Sequence, residues 1–317
     1  MPSKIKANKT GQTIALTGAT GFLGKHVLDA LLESGHRVKA LTRSPQIDRQ
    51  NVEWVVGALD NETSLELLTQ GTSTLIHLAG LTKALTRDIF FDVNVTGSKR
   101  LFDAAQTSGV QHVLHISSLA AREPRLSHYG ASKAGTEMLL TARKWGFSWT
   151  ILRPPAIYGP GDKEILKLLK ASKYGFLPAP GSTRNKFSMI HVADLAKATA
   201  VLSDQSNKAS ILEIDDGAKR GYTVKDVASC IPKNNTKMHY VPVPYTIMAS
   251  IGFINQTFAH MLNKPAMLTV STARYLCHAD WTVTENRRFR HEKWAPQFDL
   301  KSGLQNTLDW YRKNDLL

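Results

Sequence analysis

From residue 12 to about 153, short β-branched runs alternate with longer amphipathic segments. The runs TIALT, RVKALT, VEWVV, TLIHL, HVLHIS and SWTILR predict strands, because apolar and β-branched residues in short blocks suit a buried pleated ribbon. The segments between them are long enough for crossover helices. Strand and helix in strict alternation predict an α/β fold with a parallel, doubly wound sheet. The helix after the first strand opens in a glycine turn and closes at Ser34-Gly35, where glycine suits a left-handed cap. Past Pro154-Pro155 the texture changes to the loops YGPGD and FLPAPGS, then a helix from near His191, a strand ILEID at 211–215 and a mixed tail. The expected organisation is a basic tail over 1–11 and a core over 12–160, to which 190–215 return. A smaller lobe, from 161–189 and 216–317, lies over the sheet's C-terminal edge, where open α/β sheets bind ligands.

With 317 residues and 42% hydrophobic content, the chain can bury a large core. Cys230 and Cys277 lie far apart with neither paired nor metal-ligand spacing, which predicts a reduced compartment without a disulfide framework or structural zinc. The start, MPSKIKANKTGQ, is polar and basic and lacks the pattern of a signal peptide, and no run is long enough to span a bilayer. A cytoplasmic location is the expectation. The net charge of +14 is diffuse: 17 basic and 12 acidic residues in 1–150, 23 and 14 in 151–317. That argues for a solvated basic surface rather than a nucleic-acid footprint, which clusters on one face. RRFRHEK at 287–293 is the local exception.

Two motifs carry chemistry. Thr17-Gly18-Ala19-Thr20-Gly21-Phe22-Leu23-Gly24 sits between a predicted strand and a predicted helix. Glycines there let the chain turn tightly and bring backbone N–H groups to a pyrophosphate at a helix N-terminus; a purely structural turn is the plainer alternative. In SHYGASKAGTE (127–137), Tyr129 precedes Lys133 by four residues. With 8 Tyr and 24 Lys in the chain, such a pair is expected about 0.6 times by chance, so spacing alone decides nothing. An exposed Tyr/Lys pair on one helical face is the alternative to an acid/base pair.

Context favours chemistry. The Gly-x-x-Gly-x-x-Gly spacing, with HLAG (77–80), NVTGSKRL (94–101), ISS (116–118), Tyr129/Lys133, LRPPAIYGPGD (152–162) and MIHVADLA (189–196), resembles the extended short-chain dehydrogenase/reductase superfamily over nearly the whole chain. This branch includes NAD-dependent epimerase/dehydratases and 3β-hydroxysteroid and dihydroflavonol reductase-like enzymes. The resemblance implies a Rossmann core that binds a dinucleotide, with Ser118, Tyr129 and Lys133 as the catalytic set. A nearby ammonium favours phenolate, so Lys133 is expected to lower the ordinary phenol value of about 10, letting Tyr129 exchange a proton as hydride moves. Lys133 is also implied to hold the nicotinamide ribose, and Ser118 the substrate oxygen. Ser117 and Ser118 adjoin on a strand, so only one can face the substrate; family position favours Ser118.

For the cofactor, the turn residues Gly18, Thr20, Gly21, Phe22, Leu23 and Gly24 are expected to cradle the pyrophosphate. Arg43, after the second strand, favours NADP(H) through a 2′-phosphate, with NAD(H) the alternative and a surface arginine the plain reading. Ala58-Leu59 stands where the family commonly has an Asp-hydrophobic pair, with Asp60 one place later; Leu59 can still pack on adenine. Leu78, Ala79 and Gly80 are expected along the ribose and nicotinamide path. Asn94 matches the family asparagine, with helix packing as its alternative role. Pro154 and Ile157 are expected near the carboxamide. His77 and His191 read as structural, and no metal cluster or hydrolase nucleophile elbow is present in the sequence.

The expected function is therefore hydride transfer between NADP(H) and a secondary alcohol or ketone, a small-molecule substrate with an apolar body. One alternative is an NAD-dependent nucleotide-sugar epimerase/dehydratase, against which the absence of a Val-Tyr-Gly element between Ser118 and Tyr129 argues. Others are a non-catalytic NADP-binding assembly subunit and a nucleic-acid-binding regulator. Residues 245–262 read as a core helix, a lid over an apolar substrate, or an interfacial helix giving peripheral membrane contact. By resemblance, helices near 88–108 and 129–144 form a homodimer interface.

Overall fold

Each of the six early apolar runs forms a strand in the computed structural model, which describes residues 11–172, 175–204, 209–231 and 238–317. The expected basic tail thus lies, apart from its last residue, outside the described residues. The strands are β1 (Thr13–Thr17), β2 (Arg37–Thr42), β3 (Val52–Val56), β4 (Thr74–His77), β5 (His112–Ile116) and β6 (Ser148–Arg153). After them come β7 (Ala156–Tyr158), β8 (Phe176–Pro180), β9 (Lys186–Phe187), β10 (Met189–His191), β11 (Ser210–Glu213), β12 (His239–Val243) and β13 (Asp280–Trp281). The main sheet has the order β3-β2-β1-β4-β5-β6-β11, all parallel. Order reverses between β1 and β4, and the crevice at such a reversal is where open α/β sheets take ligands.

Helices cover both faces, which is why β4 and β5 are buried along their whole length. On one face lie α1 (Phe22–Glu33) and, later in the chain, the helix at Val192–Ser203, whose Val27, Leu31, Leu195 and Leu202 share a core with Leu16 and Ile76. On the other, α2 (Glu62–Thr69), α4 (Gly97–Thr107) and α5 (His128–Thr141) bring Leu65, Leu68, Leu101, Phe102 and Leu140 against Leu75 and Val113. Between α2 and α4, α3 (Arg87–Phe91) runs into α4 through a π-helical stretch, Asp92–Thr96. α1 ends as expected: Ser34 N–H bonds to Ala30 O, and Gly35 follows with φ +83°.

The lobe has its own core. It contains α6 (Lys163–Ser172), then, after α7 (Val192–Ser203), α8 (Val224–Cys230), α9 (Tyr245–Met261), α10 (Val270–Leu276) and α11 (Leu300–Lys313), with the two-strand pairs β7/β10, β8/β12 and β9/β13. Leu169, Leu177, Val227, Leu304 and Leu308 pack around Tyr158 and Tyr311. Reciprocal capping boxes start α8 (Thr223 with Asp226) and α11 (Asp299 with Ser302). Of the RRFRHEK run, Arg288 is ion-paired with Asp215 and Glu285, and Arg290 with Glu285, so these cations are engaged within the fold. No helix of the described residues is long and apolar enough to cross a membrane.

Candidate active site

The glycine turn is built by close approach. Gly18 sits at φ +77°, and a Cβ there would stand 2.9 Å from Ala79 N; a Cβ on Gly24 would stand 1.9 Å from Gly18 O. The first keeps the turn against the end of β4, and the second lets α1 pack directly onto the turn. Gly21 is the N-cap of α1 and no side chain caps it, so this helix start presents backbone N–H groups of the kind that bind anions.

Around this turn lies a cavity of about 440 Å³. Of the expected cofactor residues, Gly18, Thr20, Gly21, Arg43, Leu59, Leu78, Ala79 and Gly80 line it. Phe22, Leu23 and Gly24 form the first turn of α1 and do not. Asp60 lines it beside Leu59, and the wall also includes Thr42, Asp92, Val93, Gly97 and Arg100, which motif reasoning passed over. Val93, Gly97 and Arg100 recur at i, i+4 and i+7, so helical spacing could have found them. Asn94 lies one residue round from that row. It is buried, accepting from Leu81 N (2.6 Å) and donating to Leu81 O (3.0 Å) and Ser132 Oγ (2.9 Å), so it ties the loop after β4 to α5.

A second buried chain fixes the same loop. Thr17 Oγ1 accepts from Leu78 N and Ala79 N (3.2 and 3.1 Å), which leaves its proton for His77 Nδ1 at 2.8 Å. His77 Nε2 then donates to Ser98 Oγ (2.7 Å), which donates to Asn94 O (2.5 Å). Burial, and secondarily Lys133, push the His77 imidazole down to about 3, so it stays neutral. His191 is likewise pushed down by burial, to about 4, and caps α7. Among the described residues no His/Cys/Asp/Glu group could hold a metal ion.

The adjoining serines part as strand alternation requires. Ser117 Oγ donates to Glu137 (2.5 Å), a carboxylate that also takes Nε and Nη2 of Arg153 at 2.9 and 2.5 Å. Ser118 caps a 3₁₀ turn, Leu119–Arg122, by accepting from Ala120 N, and hydrogen-bonds Tyr129 at the start of α5. Lys133, one turn on, is buried with Nζ donating to Ile116 O at 2.9 Å; burial pulls it down to about 8 against the attraction of Glu137. The Tyr129 phenol departs from expectation. Burial raises it and the Ser118 hydrogen bond opposes the rise; lowering by Lys133 is not among its causes. Pro154 O accepts from Leu119 N (3.0 Å), and Ile157 packs on the core below. From the lobe, Tyr275 on α10 comes near Tyr129, and Trp281 and Val283 cover Leu119. Arg122 Nη1 donates to Thr282 O (2.7 Å), fastening the loop to this roof. Tyr275, Trp281 and Arg122 carry no local signal in the sequence.

The model of the NAD dependent epimerase/dehydratase family matches residues 14–214, more than half of the chain. The chain belongs to this family. As a member of the NAD dependent epimerase/dehydratase family it is an NAD(P)-dependent oxidoreductase. It is 36% identical to a ceramide reductase of Caulobacter vibrioides, over 94% of each chain. Two solved structures share its fold. MoeE5 in complex with UDP-glucose and NAD has a TM-score of 0.72 and 20% identity, over 96% of this chain and 99% of that one. DesIV, a dTDP-glucose 4,6-dehydratase from Streptomyces venezuelae with NAD and TYD bound, has a TM-score of 0.72 and 20% identity, over 95% and 97%.

These findings overturn the NADP(H) preference. The family is described as NAD dependent, and both solved structures hold NAD. Physically, the cavity is charge-balanced: Asp60 and Asp92 line it with Arg43 and Arg100, and the neighbouring Thr42 hydroxyl is turned to Ser44 O. The position of Arg43 alone therefore does not establish a 2′-phosphate site. At family level, the comparisons back the NAD-dependent epimerase/dehydratase alternative better than the NADP(H)-dependent alcohol reading.

Proposed function

We propose that the chain uses NADH to reduce a ketone on a long-chain lipid of ceramide type, with Tyr129 delivering the proton. The observation that carries the reading is the likeness to the ceramide reductase along 94% of both chains. The residues fit a dinucleotide: an uncapped helix start, a turn that a Cβ would block and a cavity lined by both. Gly18, Thr20 and Gly21 would hold the pyrophosphate, Leu59 the adenine, and Leu78 to Gly80 the path toward the nicotinamide. When bound, the nicotinamide supplies or accepts the hydride.

The chain's own groups suit proton exchange with a substrate oxygen. A donor to a carbonyl oxygen must be protonated, as a phenol is near neutral pH, and burial favours that neutral form of Tyr129. Ser118, bonded to that phenol, would share the substrate oxygen with it. Lys133, one turn along α5, would position the ribose. Ser117 is spent on Glu137 and would not reach substrate.

A second reading is the nucleotide-sugar epimerase/dehydratase, favoured by the UDP-glucose and TYD that the two structurally similar proteins hold. One experiment separates them. Protein freed of copurified cofactor is given NADH with a keto form of a ceramide-type lipid in micelles, or NAD with UDP-glucose. Net NADH consumption with the lipid is expected, and Tyr129→Phe should lower it by about 10²-fold or more while keeping the thermal stabilisation by NADH. Sugar interconversion without net change in NADH would select the second reading; undiminished turnover in Tyr129→Phe would remove Tyr129 from the chemistry.

A further inference from the structure

We infer that the exposed face of α9 docks on the surface of an anionic phospholipid membrane. Ile247, Ile251, Ile254, Phe258 and Met261 recur at intervals of four, three, four and three residues, which places them on one stripe of the helix. They are 46–75% exposed, whereas Met248, Gly252 and Ala259 on another face are buried toward the protein. The helix is thus neither the core element nor the covered lid that its composition suggests. A continuous apolar stripe left open to water needs a partner.

Charge identifies the partner. Between Asp226 and Asp280 the chain has no acidic residue. Lys264 and Arg274 follow the stripe in sequence and are exposed, and Lys167 on α6 reaches Met267 Sδ, in the loop between α9 and α10, at 2.9 Å. Glu164 is the acid of α6, and it is paired with Lys83 and Lys167. An apolar stripe in a basic surround fits anionic headgroups over an acyl interior. It fits a second copy of this chain poorly, because two such net-basic rims would face each other and repel. At 17 residues α9 falls short of the roughly 20 that a spanning helix needs, so it would lie on the surface.

The position gives docking a use. α9 packs on α10, where Cys277 at its end meets Met248, and α10 touches the catalytic helix: Ser271 Oγ accepts from His128 N at 3.1 Å and Tyr275 nears Tyr129. One element therefore separates the bilayer from the proposed proton donor. The inference stands on exposure and charge, and holds whichever substrate is right.

The test is co-sedimentation of the whole chain with phosphatidylglycerol/phosphatidylethanolamine vesicles and with pure phosphatidylcholine vesicles. Binding to the anionic vesicles, weak on phosphatidylcholine and reduced by salt, is expected. Ile254→Glu/Phe258→Glu should lower the partition coefficient at least about tenfold, and Leu67→Glu, an exposed apolar residue on α2, should leave it unchanged. Stabilisation by NAD checks that each variant is folded. No binding to either vesicle, equal binding to both, or undiminished binding by the double variant overturns the inference. So does a double variant that only turns a dimer into a monomer in light scattering, which would make the face an interface between copies.

Discussion

Replacing Lys133 by Met should make the chain's stability less dependent on pH, by an amount set by how deeply the ammonium is buried. The side chain is 6% exposed, and its value falls from 10.5 to about 8, chiefly because burial penalises the charge. Between those two values the unfolded chain still holds a proton that the folded chain has released. Stability of the wild type therefore rises with pH across that window, and below about pH 8 the full penalty is felt. At about 1.4 kcal/mol for each pH unit of displacement, the penalty is roughly 3 kcal/mol at pH 7. Less than about 1 kcal/mol of it is left at pH 10, where most of the unfolded chains still carry the proton. Met keeps most of the apolar stem and discards the charge, but strands Ile116 O, which costs about 1–3 kcal/mol at every pH.

The measurable quantity is hence the change of the difference, not the difference. Urea unfolding of cofactor-free wild type and Lys133→Met, followed by circular dichroism at several pH values from 7 to 10, should show wild type gaining roughly 2–3 kcal/mol on the variant. Every other titrating group is common to both proteins and cancels. A difference that stays flat across this range would mean that Lys133 is not desolvated in the folded chain.

Two further outcomes follow from the same network and from the turn. Glu137→Ala leaves Arg153 buried with only Glu213, 3.7 Å away, and should cost near the lower end of 3–5 kcal/mol in urea unfolding; a loss below about 1 kcal/mol would contradict the pairing. Gly24→Ala places a methyl 1.9 Å from Gly18 O, so the turn must shift: NAD affinity by calorimetry should fall at least about tenfold with circular dichroism unchanged, and unaltered affinity would show that the turn is not the pyrophosphate cradle.

The core was legible because its signals are local. Apolar runs such as HVLHI are buried on both faces, and a glycine at a helix end speaks for itself. Asp299-x-x-Ser302 and Thr223-x-x-Asp226 are local signals too, and mark the starts of two lobe helices within the mixed tail. What α9 packs against was not local. An apolar helix looks the same in sequence whether its open stripe meets a core, a lid or a membrane, and only the fold shows that three of its residues turn inward. The cofactor reading failed for a related reason. Arg43 is one residue after β2, but the charge of the cavity is a sum over Arg43, Asp60, Asp92 and Arg100, brought together from three separate segments.

The serine pair and the Tyr/Lys pair mark the boundary between what spacing supplies and what burial supplies. Alternation along the chain dictates that Ser117 and Ser118 face apart, but which face holds Tyr129 is set by Glu137 and Arg153, two groups that meet only in the folded core and claim Ser117. In the same way, a four-residue interval puts Tyr129 and Lys133 on one side of α5 and puts Glu137 there as well. The interval implied an ammonium that makes the phenol a better base. Burial acts on both groups in the opposite sense, raising the phenol and lowering the amine, so each is driven toward its neutral form. Spacing alone puts the two groups on one face, but their protonation is set by what surrounds them in the folded core.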